Sequence, residues 1–205
     1  MTAKVGAGAS AALVICGVAL LSAAFTFVPW LHAHGLYLRD AVLGEDGHQW
    51  WRVVTAMWVH LNWPHWLGNL LAAAGLLLIA VARAGVRTRQ ALLVLLACGA
   101  IAQLALLWVP SVRWYGGLSG ALHGFALWCG LRLLAAPGVA RALGVALAAA
   151  VLVKVWLEQS WLAPIVMDPM RGFGVVRAAH AAGAVAGLAL WLLGEWWQRR
   201  RQREG

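Results

Sequence analysis

The chain has 205 residues, of which 63% are hydrophobic and only 11% are charged, and its formal net charge at pH 7 is +9. A single soluble domain of this size could not bury so much apolar surface, so the composition excludes an ordinary soluble protein and indicates a polytopic membrane protein. The positive charge does not indicate nucleic-acid binding, because the basic residues fall at the ends of apolar runs and in a terminal cluster.

Six apolar runs have the length of roughly 20 residues that crosses about 30 Å of hydrocarbon as a helix. We therefore predict an all-α membrane protein with one transmembrane domain over residues 1–205, ending in a short basic tail at about 195–205. More spans follow the first run, which favours an uncleaved anchor over a signal peptide. The predicted spans are Gly8–Val28, Trp63–Val81, Ala91–Val109, Gly117–Leu134, Val139–Leu157 and Val175–Leu193.

The charged residues divide the span ends into two sides. The side with most of the basic residues is predicted to be cytoplasmic by the positive-inside rule, and it carries both termini. The basic set is Lys4, Arg83, Arg87, Arg89, Arg132, Arg141, Arg199, Arg200, Arg201 and Arg203. The acidic set on the outer side is Asp40, Glu45, Asp46, Glu158 and Asp168.

A long outer segment, Trp30–Asn62, joins the first two spans and mixes apolar with polar residues. Tryptophan favours the membrane interface, so we predict that this first loop lies in or on the outer leaflet. Its tryptophans are Trp30, Trp50, Trp51 and Trp58.

Histidines gather near the outer span ends. Four of the seven in the chain, His60, His65, His123 and His180, are predicted to lie in this layer. His65 and Asn69 are four residues apart near the start of the second span, so both side chains lie on one helix face and can reach the same point.

A glycine-lined stretch, Gly116–Gly124, places Ser119 at the start of the fourth span. Gly117 and Gly120 flank the serine and would let a second helix or a substrate backbone approach its hydroxyl. A purely structural interpretation is also open, because Gly120 and Gly124 form a small-residue pair that packs membrane helices.

The sixth span carries a histidine above a second glycine seam. His180 is followed by Gly183 and Gly187, so all three lie on one helix face. Close packing of this helix against the one that carries Ser119 would bring a nucleophile and a base within hydrogen-bonding distance.

These residues can be assigned to the steps of acyl transfer. His180 would take the proton of the Ser119 hydroxyl, which is a poor nucleophile at neutral pH. The Ser119 backbone N–H at a helix start, His65 and Asn69 would donate to the oxyanion. No carboxylate is evident within the spans, so we predict a Ser–His dyad without an acidic third member and without a metal.

Three groups of residues, taken in chain order, resemble a known family, the rhomboid intramembrane serine proteases. They are Arg52, His60, His65 and Asn69 in the first loop and second span, the sequence Gly117-Leu118-Ser119-Gly120, and the sequence His180-Ala-Ala-Gly183-Ala-Val-Ala-Gly187.

The resemblance implies a six-helix rhomboid-like bundle in which Ser119 and His180 form the catalytic dyad. It also implies an oxyanion hole from Ser119, His65 and Asn69, with water reaching the site from the outer face. The expected location is a bacterial inner membrane, the expected partners are transmembrane protein substrates and lipid, and no cofactor is expected.

One position departs from the common bacterial pattern, in which a tyrosine follows the serine by four residues. Here that residue is His123, and it is predicted to orient the base by stacking on His180, to bond to it, or to repel its protonated form. The form Gly-Leu-Ser-Gly-x-Leu-His-Gly resembles the rhombosortase branch, which is thought to process proteins with a C-terminal Gly-Gly motif, a membrane helix and a basic tail.

Two other functions are compatible with the sequence. One is an inactive rhomboid-like protein that holds transmembrane clients, although the presence of Ser119 and His180 argues against it. The other is a metal or haem protein that uses the outer histidines as ligands, which would leave the serine-glycine motif without a role. Two elements are candidates for the gate that admits substrate, the Trp30–Asn62 segment and the fifth span, and of these we favour the fifth span, which has Lys154, Trp156 and Trp161 near its outer end.

Overall fold

The computed structural model describes residues 2–45, 47–170 and 172–204, and of residues 2–7 it describes the backbone only. The predicted outer-side residue Asp46, the side chain of Lys4 and the two terminal residues of the predicted domain lie outside this description.

The α-helices are α1 (Thr2–Phe27), α2 (Pro29–Gly35), α3 (Arg39–Leu43), α4 (Arg52–Thr55), α5 (Trp63–Ala82), α6 (Thr88–Ala105), α7 (Ser119–Leu133), α8 (Val139–Glu158) and α9 (Arg177–Glu204). Single 3-10 turns span Ala56–Trp58 and Leu106–Trp108, and the strands are β1 (Tyr37–Leu38), β2 (Trp114–Tyr115), β3 (Ile165–Asp168) and β4 (Phe173–Val176).

Five of the described helices are long and apolar enough to cross a membrane: α1, α5, α6 with its 3-10 turn, α8 and α9. The fourth predicted span differs. It forms α7, which has 15 residues and is therefore about 22 Å long. Most residues of α7 are buried against α5, α6, α8 and α9. A helix enclosed by protein does not itself need to match the thickness of the lipid, because the chain that leads into it is also covered by protein.

The helix ends follow local chemistry. Asn62 caps α5 by accepting a hydrogen bond from the His65 backbone N–H at 2.9 Å, and Pro64 stands in the first turn, where its missing N–H does no harm. Helix α8 ends where Gln159 adopts a left-handed conformation, with φ 47°. Helix α9 runs unbroken through the predicted basic tail, so that tail is helical up to Glu204.

The connections at one end of the bundle are more ordered than the sequence suggested. The predicted interfacial loop contains α2, β1, α3 and α4, and β1 pairs antiparallel with β2. The link between α8 and α9 forms a second antiparallel hairpin from β3 and β4. We call this end, where Ser119 begins α7 and Arg177 begins α9, the site end of the bundle.

Glycine allows α7 and α9 to touch backbone to backbone. A side chain at Gly183 would overlap the Gly120 carbonyl oxygen, and one at Gly187 would overlap the Gly124 carbonyl oxygen. The two predicted glycine seams therefore face each other. Their contact sets the spacing between the helix that carries Ser119 and the helix that carries His180.

Candidate active site

Ser119 is the first residue of α7, and the turn before it depends on Gly117. That glycine has φ +144°, a conformation that other residues rarely adopt. A Cβ atom there would also lie 2.9 Å from the His65 ring. The Gly117 N–H donates to the Ala56 carbonyl at 3.0 Å, and the Tyr115 hydroxyl donates to the Gly117 carbonyl at 2.7 Å. Both bonds hold the turn that presents the serine.

The serine and the histidine of the prediction are brought together. Ser119 Oγ lies 3.1 Å from His180 Nε2, which is hydrogen-bonding distance. His180 is in the first turn of α9 and is only 4% exposed. Because the ring is enclosed and its helix is fixed by the glycine seam, the two groups meet without rearrangement of the backbone.

The expectation that no carboxylate reaches this pair is wrong. Glu158, the last residue of α8, places Oε2 at 2.8 Å from His180 Nδ1, the ring nitrogen that faces away from Ser119. Its other oxygen bonds to the Lys154 ammonium. The predicted fifth span stopped one residue before Glu158, and its sequence gave no sign of which way that carboxylate would point.

His123 stacks on His180. The ring centroids are 4.1 Å apart and the planes differ by 11°. His123 Nδ1 lies 2.7 Å from the Ser119 carbonyl oxygen, one helical turn earlier, so this nitrogen is the donor. Of the three contacts considered for His123, the structure therefore has the stacked one.

The two predicted side-chain oxyanion donors lie in the same cavity as Ser119 and His180. This cavity has a volume of about 470 Å³. The Asn69 amide nitrogen is buried and has no hydrogen-bond partner among the residues that the structure describes. The His65 ring lies against the Gly117 backbone on one side and tilts against Phe173 of β4, with ring centroids 5.0 Å apart.

The other residues of the first-loop pattern are structural in this arrangement. Arg52 is buried and donates to the carbonyls of Ala33 and Leu36, at 2.8 and 2.7 Å, which fixes the end of α2. His60 is also buried, and burial lowers its pKa to about 3, so the ring is neutral. Its Nδ1 lies 3.2 Å from the Trp58 carbonyl.

Tyr115 is a site residue that the sequence interpretation missed. Burial raises the pKa of its phenol, so the hydroxyl stays protonated and donates to Gly117. Its position directly before Gly116-Gly117 was the available signal, since a buried hydroxyl beside a glycine turn needs a partner and the turn has carbonyls to offer.

The four histidines of the layer form two ring pairs rather than one cluster. His60 and His65 meet edge to face at 5.0 Å, whereas His123 and His180 are stacked. In the part of the chain that the structure describes, no group of three or more His, Cys, Asp or Glu side chains is arranged to hold a metal ion.

A comparison with family models identifies the fold around this site. The model described as Rhomboid domain matches residues 47–196, which is most of the chain and includes every residue of the site. The chain belongs to the rhomboid family. Members of this family are in general intramembrane serine proteases that act on membrane proteins within the bilayer, so the predicted resemblance is confirmed at the level of the family. The comparison with curated proteins gives no match.

Proposed function

We propose that this rhomboid protein is an intramembrane serine endopeptidase in which Ser119 is the nucleophile and His180 is the general base. The observation that carries the proposal is the 3.1 Å contact between Ser119 Oγ and His180 Nε2 inside a cavity of about 470 Å³. Nucleophile and base within hydrogen-bonding distance, with the base held by a third group, are the geometric signature of covalent acyl transfer.

In the first step Ser119 Oγ attacks the scissile carbonyl carbon, and its proton passes to His180 Nε2. The protonated His180 then gives this proton to the leaving amine, which releases the C-terminal part of the substrate and leaves an acyl-enzyme on Ser119. Water, activated by His180 in the same way, hydrolyses the ester and restores the serine.

The developing oxyanion needs donors that are already in place. Helix α7 begins at Ser119, so the first backbone N–H groups of that helix have no partner within it, and the helix dipole favours a negative charge there. Asn69 adds a buried amide nitrogen that has no hydrogen-bond partner in the described part of the chain, and His65 lies beside the turn. Such donors are worth about 3–4 kcal/mol each in serine hydrolases.

The substrate would be a membrane-anchored protein cut near the outer end of its transmembrane helix. The form of the motif around Ser119 and His123 favours a C-terminal sorting segment of the rhombosortase type, with Gly-Gly before a helix and a basic tail. Glycine at the cut site suits the mechanism, because it lowers helix stability by about 1 kcal/mol per residue and lets the backbone extend.

For the location we propose a bacterial inner membrane, with both termini cytoplasmic and the site open to the outer face. The distribution of charge supports this orientation. Arg83, Arg132 and the arginines of the α9 tail lie toward the end of the bundle away from Ser119, and positive residues are retained on the cytoplasmic side.

The test is cleavage of a co-expressed reporter that carries Gly-Gly, an apolar helix and a basic C-terminus. Wild type is compared with Ser119→Ala and His180→Ala. The matched controls are Ser111→Ala and His48→Ala, because Ser111 and His48 are exposed and lie outside the cavity. We expect product from wild type and both controls and none from the first two variants, at equal protein levels.

A second reporter with Val-Val in place of Gly-Gly tests the substrate class. Loss of cleavage on this change supports the Gly-Gly assignment, whereas equal cleavage contradicts it and leaves the protease in place. Product from Ser119→Ala would contradict the serine mechanism. A wild type that binds the reporter without cutting it, and that a fluorophosphonate does not label, would support the inactive client-binding alternative; bound metal or a visible absorbance band would support the metal or haem alternative.

A further inference from the structure

Both oxygens of the Glu158 carboxylate have charged or polar partners. Oε2 lies 2.8 Å from His180 Nδ1, and Oε1 lies 2.5 Å from the Lys154 ammonium, one turn earlier on α8. The side chains of Glu158 and His180 are 12% and 6% exposed. These two contacts join the carboxylate to the base on one side and to a cation on the other.

The end of α8 is itself held in place. The Arg177 guanidinium, at the start of α9, donates to the Glu158 backbone carbonyl at 2.8 Å. The carboxylate is thereby anchored by its own backbone to the helix that carries His180. A connected series of bonds then leads from Lys154 through Glu158 and His180 to Ser119.

We propose that Glu158 is a positioning residue that holds His180 in the catalytic tautomer, and that Lys154 fixes which atom of residue 158 faces the ring. The inference rests on the proposed protease function. A carboxylate can only accept a hydrogen bond, so the proton of neutral His180 is held on Nδ1 and Nε2 keeps the lone pair that takes the serine proton. When Nε2 receives that proton, the carboxylate stabilises the resulting imidazolium.

A purely structural contact between α8 and α9 would also place these groups together. Glu158→Gln distinguishes that structural role from the positioning role. The amide oxygen is expected to face the Lys154 ammonium, since the ammonium can only donate. The amide NH₂ then faces His180 Nδ1, which must accept, so the ring proton moves to Nε2 and points at Ser119. The base is blocked although the shape of the side chain hardly changes.

We expect Glu158→Gln to lower kcat for the Gly-Gly reporter by about 100-fold or more, because the same carboxylate-to-amide change in a serine-protease triad costs about 10⁴. KM is expected to stay within about threefold, since glutamine keeps nearly the size and shape of glutamate in the cavity wall. Glu204→Gln is the matched control, because Glu204 pairs with Arg200 in the α9 tail, far from the site in sequence and fold.

The double variant Lys154→Met with Glu158→Gln gives the sharper result. Without the ammonium the amide can turn its oxygen to His180 Nδ1–H, so we expect it to recover about tenfold of the kcat that Glu158→Gln loses. Lys154→Met alone keeps a carboxylate, either oxygen of which can accept, and is expected to lose less than about tenfold.

Three results separate the ideas. If wild type cleaves the reporter, Ser119→Ala does not, and Glu158→Gln keeps a kcat close to wild type, the positioning role is overturned and the protease function stands. If the double variant is no more active than Glu158→Gln while both unfold at the wild-type temperature, the part assigned to Lys154 is overturned. If wild type neither cleaves the reporter nor is labelled at Ser119 by a fluorophosphonate, the proposed function itself fails, and the inference fails with it.

Discussion

Helices α7 and α9 touch backbone to backbone, whereas α5 and α8 leave a groove between them. In the α7–α9 seam a side chain at Gly183 would overlap a carbonyl oxygen of the facing helix. In the groove, a side chain at Gly75 of α5 would meet no heavy atom of the described residues within 4 Å. Glycine therefore allows close packing of α7 and α9, and it leaves open space between α5 and α8.

The difference matches the catalysis proposed at the seam and the gate predicted at the fifth span, which forms α8. The seam fixes the 3.1 Å separation of Ser119 and His180, and catalysis needs such groups held in advance within a few tenths of an ångström. The groove has a volume of about 370 Å³ and an almost entirely apolar lining, and its floor is formed by α7. A transmembrane substrate needs a lateral path of this character.

Gly183→Ala is expected to have the largest effect, because the new methyl group must push α9 away from the Gly120 carbonyl. We expect the free energy of unfolding to fall by about 3 kcal/mol, as for an overpacked core, and reporter cleavage to be lost. Gly194→Ala on the same helix is the control, since a side chain there would meet none of the atoms that the structure describes within 4 Å. Thermal unfolding in detergent measures both, and a Gly183→Ala protein as stable as the control would show that the seam is not tight.

Asn69 is part of α5, which borders the groove, and it also lines the site cavity. Asn69→Ala tests its role as an oxyanion donor. If Asn69 donates to the oxyanion, kcat falls by about 10²–10³. The thermal midpoint should not fall, because within residues 2–45, 47–170 and 172–204 the buried amide nitrogen has no hydrogen-bond partner to lose.

The matched control is Asn62→Ala, which removes the cap of the same helix and is expected to cost about 1 kcal/mol of stability. Asn69→Ala with full kcat and a lower midpoint would assign Asn69 to helix packing instead.

Sequence reasoning anticipated the parts that short motifs encode. The family, the helical membrane character and the approach of Ser119 to His180 follow from glycine spacing and apolar runs, because those patterns decide which helix faces can touch. The contact of Glu158 with His180 depends on where α8 ends and how it is rotated, and periodicity does not determine either with single-residue precision.

Other features depend on context that a single sequence does not carry. The short α7 is tolerated because four helices enclose it, whereas its hydropathy equals that of the longer span α6. The strands β1 and β2 have two residues each, too few to show an alternating pattern. The Gly-Gly substrate class and the membrane orientation stay predictions.

Ala150→Leu partly fills the groove and should leave the seam unchanged. Ala150 of α8 lines the groove and is exposed, so we expect KM for the membrane-anchored reporter to rise about tenfold, equivalent to about 1.4 kcal/mol. Fluorophosphonate labelling of Ser119 and thermal stability should not change. Ala149→Leu, one residue earlier, is exposed but does not line the groove; equal effects of the two changes would contradict a specific path for substrate.

His123 belongs to both regions, because it is part of α7 and lines both the site cavity and the groove. If its main role is the stacked contact that keeps His180 in plane, another flat ring can replace it, and His123→Tyr should keep kcat within about threefold while His123→Ala loses about fivefold, or about 1 kcal/mol of stacking. His48→Ala, at an exposed position outside both cavities, is the control for histidine removal.

A fall in kcat with His123→Tyr as large as with His123→Ala would mean that the imidazole itself is needed, through its Nδ1 bond to the Ser119 carbonyl. The seam alone would then be insufficient to orient the base, and a residue at the edge of the groove would be part of the catalytic geometry.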